Sequence, residues 1–149
     1  MKSFKTIFLT LAVIFSFIAC KKQIIEDRDY VGHLHIQKSE NYAYFHQWNI
    51  QVFVENSKNN TINVTIKGVQ FDEEMPAIDI KITGIITKKT KDGFTLSVPK
   101  EGIIPTDMTG ATFQQLKITE LNGIIETNYL HFIIFCGEYS ITFDSSNIC

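Results

Sequence analysis

The feature that most constrains the fold is a two-residue alternation of apolar and polar side chains, which begins at Tyr30 and recurs in short segments as far as Phe143. It is clearest in Ile78–Thr87, where Ile occupies most alternate positions and Asp, Lys and Thr stand between them. Successive side chains of a β-strand point to opposite faces, so this pattern indicates strands with one buried face. Gly, Asn, Asp and Ser separate the segments, as in turns. The sequence therefore predicts an all-β domain.

Eight segments carry this pattern, and each is predicted to form one strand. They are Tyr30–Lys38, Trp48–Glu55, Thr61–Phe71, Ile78–Thr87, Phe94–Val98, Phe113–Glu126, Tyr129–Phe135 and Tyr139–Phe143. The sixth is expected to be interrupted near Asn122-Gly123. No segment has a convincing amphipathic helical period, and a short helical turn is expected only within Pro105–Gln115.

Two glycines lie inside predicted strands. At Gly68 the inward apolar positions shift by one residue, which predicts a β-bulge. At Gly84 no shift is expected. The inward face of the fourth strand is therefore predicted to consist of Ile78, Ile80, Ile82, Gly84 and Ile86.

Antiparallel strands joined by short loops must bury their apolar faces in a two-sheet sandwich or a closed barrel. Sequential hairpins favour an eight-stranded antiparallel up-and-down barrel, in which no strand edge is left unpaired. An eight-stranded barrel has room inside for side chains or one small ligand. The inward residues are mostly Ile, Leu, Val and Phe, which favours a barrel filled by side chains. Outward Lys, Asp, Glu and Thr argue against a membrane-spanning barrel.

The N-terminus has the three parts of a secretory signal peptide. Lys2 and Lys5 precede an apolar run, and Ala19-Cys20 follows it. The run is shorter than the ~20 residues of a membrane span. An uncleaved N-terminal anchor is the alternative. The predicted organisation is a signal peptide at 1–19, a tether at 20–29 and one barrel domain at 30–149.

The end of this segment resembles the lipobox of bacterial lipoproteins, in which the cysteine after the cleavage site is lipidated. The resemblance implies that Cys20 carries a diacylglycerol on its thiol and a fatty acid such as palmitate on its amine. It implies a lipoprotein of the cell envelope, at the outer membrane and facing the periplasm or the cell surface. Lys21 and Lys22 lack the acidic run of a surface-export signal, which favours the periplasmic side.

The charge balance argues against nucleic acid as a partner. Of the 14 basic residues, Lys2 and Lys5 leave with the signal peptide, so 12 remain against 16 acidic residues, a net charge of −4. These charges are scattered and form no basic face.

Several segments resemble the calycin-like β-barrel lipoproteins of Gram-negative gut bacteria. They are Tyr30-Val31-Gly32-His33-Leu34, Asn63-Val64-Thr65-Ile66, Gly68-Val69-Gln70-Phe71, Met75-Pro76-Ala77-Ile78-Asp79-Ile80, Leu121-Asn122-Gly123-Ile124-Ile125 and Tyr139-Ser140-Ile141-Thr142-Phe143. The resemblance covers about residues 30–144. It implies a calycin- or lipocalin-like barrel in a family without an established activity or ligand, and it transfers no catalytic residue. The stretch Thr106–Gln115 and the aromatic first loop have no counterpart in it.

The first loop is the most suggestive surface feature, because it is crowded with aromatic residues: Tyr42, Tyr44, Phe45, His46 and Trp48. Aromatic rings at the mouth of a barrel can stack on a small lipid or glycan ligand. They can also fold over the open end as a plug, which is the favoured interpretation.

His33 and His35 lie two residues apart and share one face of the first strand. Leu34 and Ile36 take the other face, so both histidines are expected to face water. A pair of metal ligands, completed by His46 or His131, is the less favoured alternative, and the sequence predicts no metal site.

The remaining candidates for chemistry have structural explanations. The acidic run Asp72-Glu73-Glu74 lacks the spacing of an EF-hand, so it is expected to be a solvated loop. Cys136 ends an apolar strand and is expected to be inert or paired with Cys149 in an oxidising compartment. No nucleophile motif or phosphate loop occurs. We therefore expect no enzyme and no cofactor. Two functions stay open: a module that binds a small lipid or glycan, and a structural or interaction lipoprotein with a filled barrel and protein partners.

Overall fold

Eight antiparallel strands, each hydrogen-bonded to the next and the last to the first, form a closed up-and-down barrel in the computed structural model, which describes residues 24–145. The strands are β1 Arg28–Lys38, β2 Tyr44–Asn56, β3 Thr61–Val69, β4 Ile78–Lys89, β5 Phe94–Ser97, β6 Ile118–Ile125, β7 Leu130–Cys136 and β8 Tyr139–Ser145. The predicted fold class and the number and order of strands are confirmed. The signal peptide and residues 20–23 of the predicted tether lie outside the described residues, whereas Arg28 and Asp29, the last two tether residues, belong to β1.

The barrel closes where β1 meets β8. Gly32 pairs with Ser145, and the two strands stay in register as far as Lys38, which pairs with Tyr139. A Cβ atom on Gly32 would overlap the carbonyl oxygen of Asp144, so a residue without a side chain is required for the strands to approach this closely.

The fourth strand differs from its prediction beyond Gly84. Gly84 has φ +81°, and together with Thr83 it opposes a single residue of β3, so β4 contains a bulge there. The inward face therefore passes from Ile82 to Ile85, which is 1% exposed, whereas Ile86 is 38% exposed. The prediction that Ile86 points inward was wrong, because a bulge shifts the alternation by one residue. The shift predicted at Gly68 is confirmed by the change of register between Ile66 and Val69.

The sixth strand is shorter and more regular than predicted. It begins at Ile118 and not at Phe113, because a 3₁₀ helix at Gln114–Leu116 precedes it. This helix overlaps the end of the segment in which a helical turn was expected. No interruption occurs near Asn122-Gly123, since both residues pair with β7.

The long connection 98–117 completes the wall of the barrel above the short strand β5. Thr106 forms a bridge with Lys81 of β4, and Ile103 forms one with Ile118 of β6. Leu116 and Ile103 are buried in the core. This connection therefore covers the region that the four residues of β5 leave open between β4 and β6.

The interior of the barrel is filled by side chains. Its core residues include Phe132 and Phe143, whose rings stack with centroids 5.3 Å apart and which are 2% and 0% exposed. The void detected among the inward residues measures about 10 Å³. That is the space of one water at most, far below the ~300–1,000 Å³ of a ligand pocket.

Candidate functional site on the outer face of β1 and β2

The outer face of the β1–β2 hairpin carries five ring-bearing side chains, which form two contacting groups. His33 and His35 extend from β1, and Tyr44, His46 and Trp48 extend from β2. We call this set the histidine–aromatic face. Leu34 and Ile36, between and beyond the histidines, are 0% and 1% exposed, so the histidines point away from the core, as predicted.

His35 and His46 form the centre of this face. They are direct cross-strand partners, their Nδ1 atoms lie 3.2 Å apart, and their ring centroids are 4.3 Å apart at 71°. One ring donates a hydrogen bond to the other. Partial burial and then the charge of His46 lower the pKa of His35 from 6.5. The ring of Tyr44 lies against the same imidazole, with centroids 4.9 Å apart. The neutral form of His35 is therefore favoured at neutral pH.

Trp48 and His33 form the second part of the face. Their ring centroids are 5.2 Å apart at 46°, and Trp48 is 71% exposed. Between the pairs Gly32–Ile50 and Leu34–Gln47, two residues of β2 oppose one of β1, so Trp48 and Asn49 form a bulge opposite His33. Asn49 has φ +56°, a conformation that Asn tolerates better than most residues. The bulge leaves the indole on the outside while Ile50 turns inward.

The barrel wall behind the face is fixed by Gln47. Its Nε2 donates to the carbonyl of Gly68 at 2.9 Å, and its Oε1 accepts from the amide of Gln70 at 2.8 Å. Regular pairing between β2 and β3 begins at Val52, which pairs with Ile66. The Gln47 side chain thus supplies hydrogen bonds that the strand ladder does not make at this end.

The predicted aromatic loop is part of a strand. Tyr44, Phe45 and Trp48 all lie in β2, and only Tyr42 is in the turn before it. Tyr42, Tyr44 and Trp48 are 70%, 59% and 71% exposed, whereas Phe45 packs against the core. The preferred interpretation, an aromatic plug over the barrel, was wrong because Tyr44 and Trp48 take the outward positions of the strand.

Sequence reasoning named His46 only as one of two residues that could complete a metal site with His33 and His35, and did not place it opposite His35. The signal was present, because Tyr44, His46 and Trp48 recur every second residue, as in a strand. The connection 39–43 between the two strands then sets the register that places His46 opposite His35.

The other candidates do not join this face. His131 lies on β7, where its Nδ1 is 3.2 Å from Oδ2 of Asp144. The acidic run 72–74 is exposed, as predicted. Within residues 24–145, no three His, Cys, Asp or Glu side chains are grouped as a metal ion would require. Burial raises the pKa of the Cys136 thiol to about 12, which makes it a poor nucleophile.

A shallow pocket lies at the opposite end of the barrel, where the described chain begins. It measures about 170 Å³ and is lined by Ile24, Ile25, Tyr30, Phe94 and Ile125, among others. Its volume is below the range of small-molecule sites. It is separate from the histidine–aromatic face.

Cys20, predicted to carry the lipid, and Cys149, the predicted disulfide partner of Cys136, lie outside the described residues. Within residues 24–145, no helix is long and apolar enough to cross a bilayer. Comparison of the chain with protein-family models, curated protein sequences and solved structures found no match.

Proposed function

We propose that this protein is a lipid-anchored interaction protein of the cell envelope, which binds a protein partner through the outside of its barrel. In this proposal Cys20 holds the chain on the membrane, and the histidine–aromatic face is the contact surface. The protein catalyses no reaction and needs no cofactor for this role.

The observation that carries the proposal is the filled interior. A barrel that works as a small-ligand carrier needs a cavity of ~300 Å³ or more, and the internal void here measures about 10 Å³. Binding therefore has to use the outer surface. This favours an interaction protein over a carrier with an internal lipid.

The composition of the histidine–aromatic face supports a protein partner. Trp and Tyr are the residues most enriched among those that dominate binding energy in protein interfaces. Trp48 and Tyr44 are 71% and 59% exposed. Burying such apolar ring surface in an interface is favourable, because it removes that surface from water. Tyr44 pairs with Gln37, near the end of β1 farther from Arg28, and Trp48 lies opposite His33 in the middle of that strand. A partner can therefore reach Tyr44 from the side away from the tether.

A glycan is the second candidate ligand for the same surface. The exposed indole of Trp48 can stack on a sugar ring, and the neighbouring His33 imidazole, 5.2 Å away between centroids, can hydrogen-bond to its hydroxyls. The two ligand classes are separated by experiment.

Site-specific photo-crosslinking in the producing cells tests the surface. A photoreactive phenylalanine analogue replaces Tyr44 in one strain and Ile124 in another. Ile124 is the control because it is also outward and 39% exposed, but lies on β6. We expect a discrete protein adduct from position 44 that Trp48→Ala abolishes, and none from position 124. Equal adducts from both positions would contradict the proposal. A glycan panel that alters Trp48 fluorescence without any protein adduct would favour the second candidate.

The anchor is tested separately with Cys20→Ser. We expect this variant to accumulate as an unprocessed precursor that incorporates no radiolabelled palmitate. The Cys136→Ser variant is the matched control and should be labelled like the unmodified protein. Normal labelling of Cys20→Ser would contradict the proposed lipid anchor. The proposed contact surface would then be tested by the photo-crosslinking experiment alone.

A further inference from the structure

The histidine pair at the centre of the histidine–aromatic face holds two ring nitrogens at a separation that one metal ion can bridge, once the rings turn slightly towards it. His35 and His46 project from directly opposite positions of neighbouring strands, so the backbone ladder holds their Cα atoms in place. Their Nδ1 atoms are 3.2 Å apart. Two nitrogens at the ~2.0–2.1 Å typical of metal–imidazole bonds, with this separation between them, subtend an angle of about 100° at the metal.

We infer that His35 and His46 form a two-histidine binding site for a divalent transition-metal ion, with Cu²⁺ held most tightly. An angle of about 100° falls between the square-planar and tetrahedral values, so a metal can replace the proton that the two rings share. Imidazole suits Cu²⁺, Ni²⁺ and Zn²⁺, and affinity among first-row divalent ions peaks at Cu²⁺. Water completes the coordination sphere, because the face is open to solvent.

The surroundings of the pair hold one of its two rings in place. The ring of Tyr44 packs against His35 at 4.9 Å and restricts its rotation. A ligand held in place before binding loses less conformational entropy when the metal arrives.

The site does not depend on the lipid anchor or on a protein partner. It needs only the β1–β2 register and the two rings. The absence of a third protein ligand within the described residues marks it as an open site, with coordination positions left for water or for an added ligand.

Copper titration of the full-length protein tests this inference. The protein is purified in detergent with an affinity tag that contains no histidine, and isothermal titration with CuCl₂ gives stoichiometry and affinity. Electron paramagnetic resonance gives the number of coordinated nitrogens. We expect one Cu²⁺ per chain with hyperfine coupling to two imidazole nitrogens, and quenching of Trp48 fluorescence, because Trp48 shares the outer face of β2 with His46.

The variants His35→Gln and His46→Gln should each weaken Cu²⁺ binding at least as much as the ~10–100-fold typical of losing an outer-shell partner. His131→Gln, whose ring lies on β7 beside Asp144, should bind like the unmodified protein. Circular dichroism checks that each variant is folded. Unchanged affinity in both His35→Gln and His46→Gln would overturn the inference. So would a paramagnetic spectrum of the unmodified protein without two coupled nitrogens, and that measurement requires no variant.

Discussion

The side chain of Gln47 in β2 holds Gly68 in β3, through a hydrogen bond from Nε2 to the Gly68 carbonyl at 2.9 Å. A second bond, from the Gln70 amide to Oε1 of Gln47 at 2.8 Å, closes the same gap between the strands. One amide side chain thus replaces two ladder bonds where β3 leaves its register with β2. This junction lies directly behind the histidine–aromatic face.

Replacing Gln47 by Ala should lower the free energy of unfolding by about 1–3 kcal/mol, because two partly buried main-chain groups lose their partners. Urea denaturation followed by circular dichroism measures the change. Gln51→Ala is the matched control on the same strand. Its side chain is exposed and bonds only to Asp29 in the described hydrogen bonds, so we expect a change within ~0.5 kcal/mol. Equal effects of the two substitutions would show that the Gln47 hydrogen bonds stabilise the fold no more than the exposed Gln51 bond does.

The bulge at Gly84 gives adjacent isoleucines opposite sensitivities to charge. Ile85→Asp should unfold the domain, because an unpaired buried charge costs several kcal/mol of a typical ~5–15 kcal/mol stability. Ile86→Asp should leave the protein folded, since Ile86 lies on the outer surface. Thermal melts of both variants test this. If Ile85→Asp stayed folded and Ile86→Asp unfolded, β4 would contain no bulge, and Ile86 would point inward as the sequence predicted.

The thiol of Cys136 should resist alkylation in the folded protein. It is 3% exposed, and burial raises its pKa to about 12, so almost no thiolate is present at pH 8. Iodoacetamide labelling followed by peptide mass spectrometry should show modification of Cys136 only after denaturant is added. Rapid labelling in native buffer would mean that the β7 end of the barrel opens readily.

Asp79 should make part of the free energy of unfolding depend on pH in the acidic range. Its carboxylate accepts the Gly68 amide at 2.9 Å and the Lys67 ammonium at 3.0 Å, and these contacts lower its pKa below 3.8. The unfolded chain takes up this proton first, so the stabilisation is present above about pH 4 and disappears as pH falls through the native pKa.

Between pH 5 and pH 3, the urea midpoint should therefore fall more steeply for the unmodified protein than for Asp79→Asn. Asp92→Asn, in the exposed turn before β5, is the control and should follow the unmodified protein. Parallel curves for all three proteins would show that the Asp79 contacts do not differ between the folded and unfolded states.

The strands could be predicted because their alternation is local. Ile62, Val64 and Ile66, for example, are buried as the pattern indicates. The phase beyond Gly84 could not be read in this way, since a bulge changes which face a residue occupies without changing its neighbours in sequence. The connection 98–117 has no period, so its role as part of the wall depends on contacts with distant strands.

The composition of the histidine–aromatic face also depends on the pairing register of two strands, which the sequence alone does not give. The sequence places His33 and His35 on one face, but the contact between His35 and His46 requires the geometry of the turn between β1 and β2. The aromatic residues were assigned to a loop because aromatic clusters near a barrel mouth suggested a lid. Their two-residue spacing was the better guide.

The position of β1 between β2 and β8 has a mechanical consequence. The chain enters β1 at Arg28, and His33 and His35 of the outer face lie on this same strand. A pull between the N-terminal segment and a molecule bound at that face is therefore transmitted along a few residues of one strand. β1 is paired with β2 from Arg28 to Gln37 and with β8 from Gly32 to Lys38, so such a force would load these hydrogen bonds in shear instead of opening them one by one.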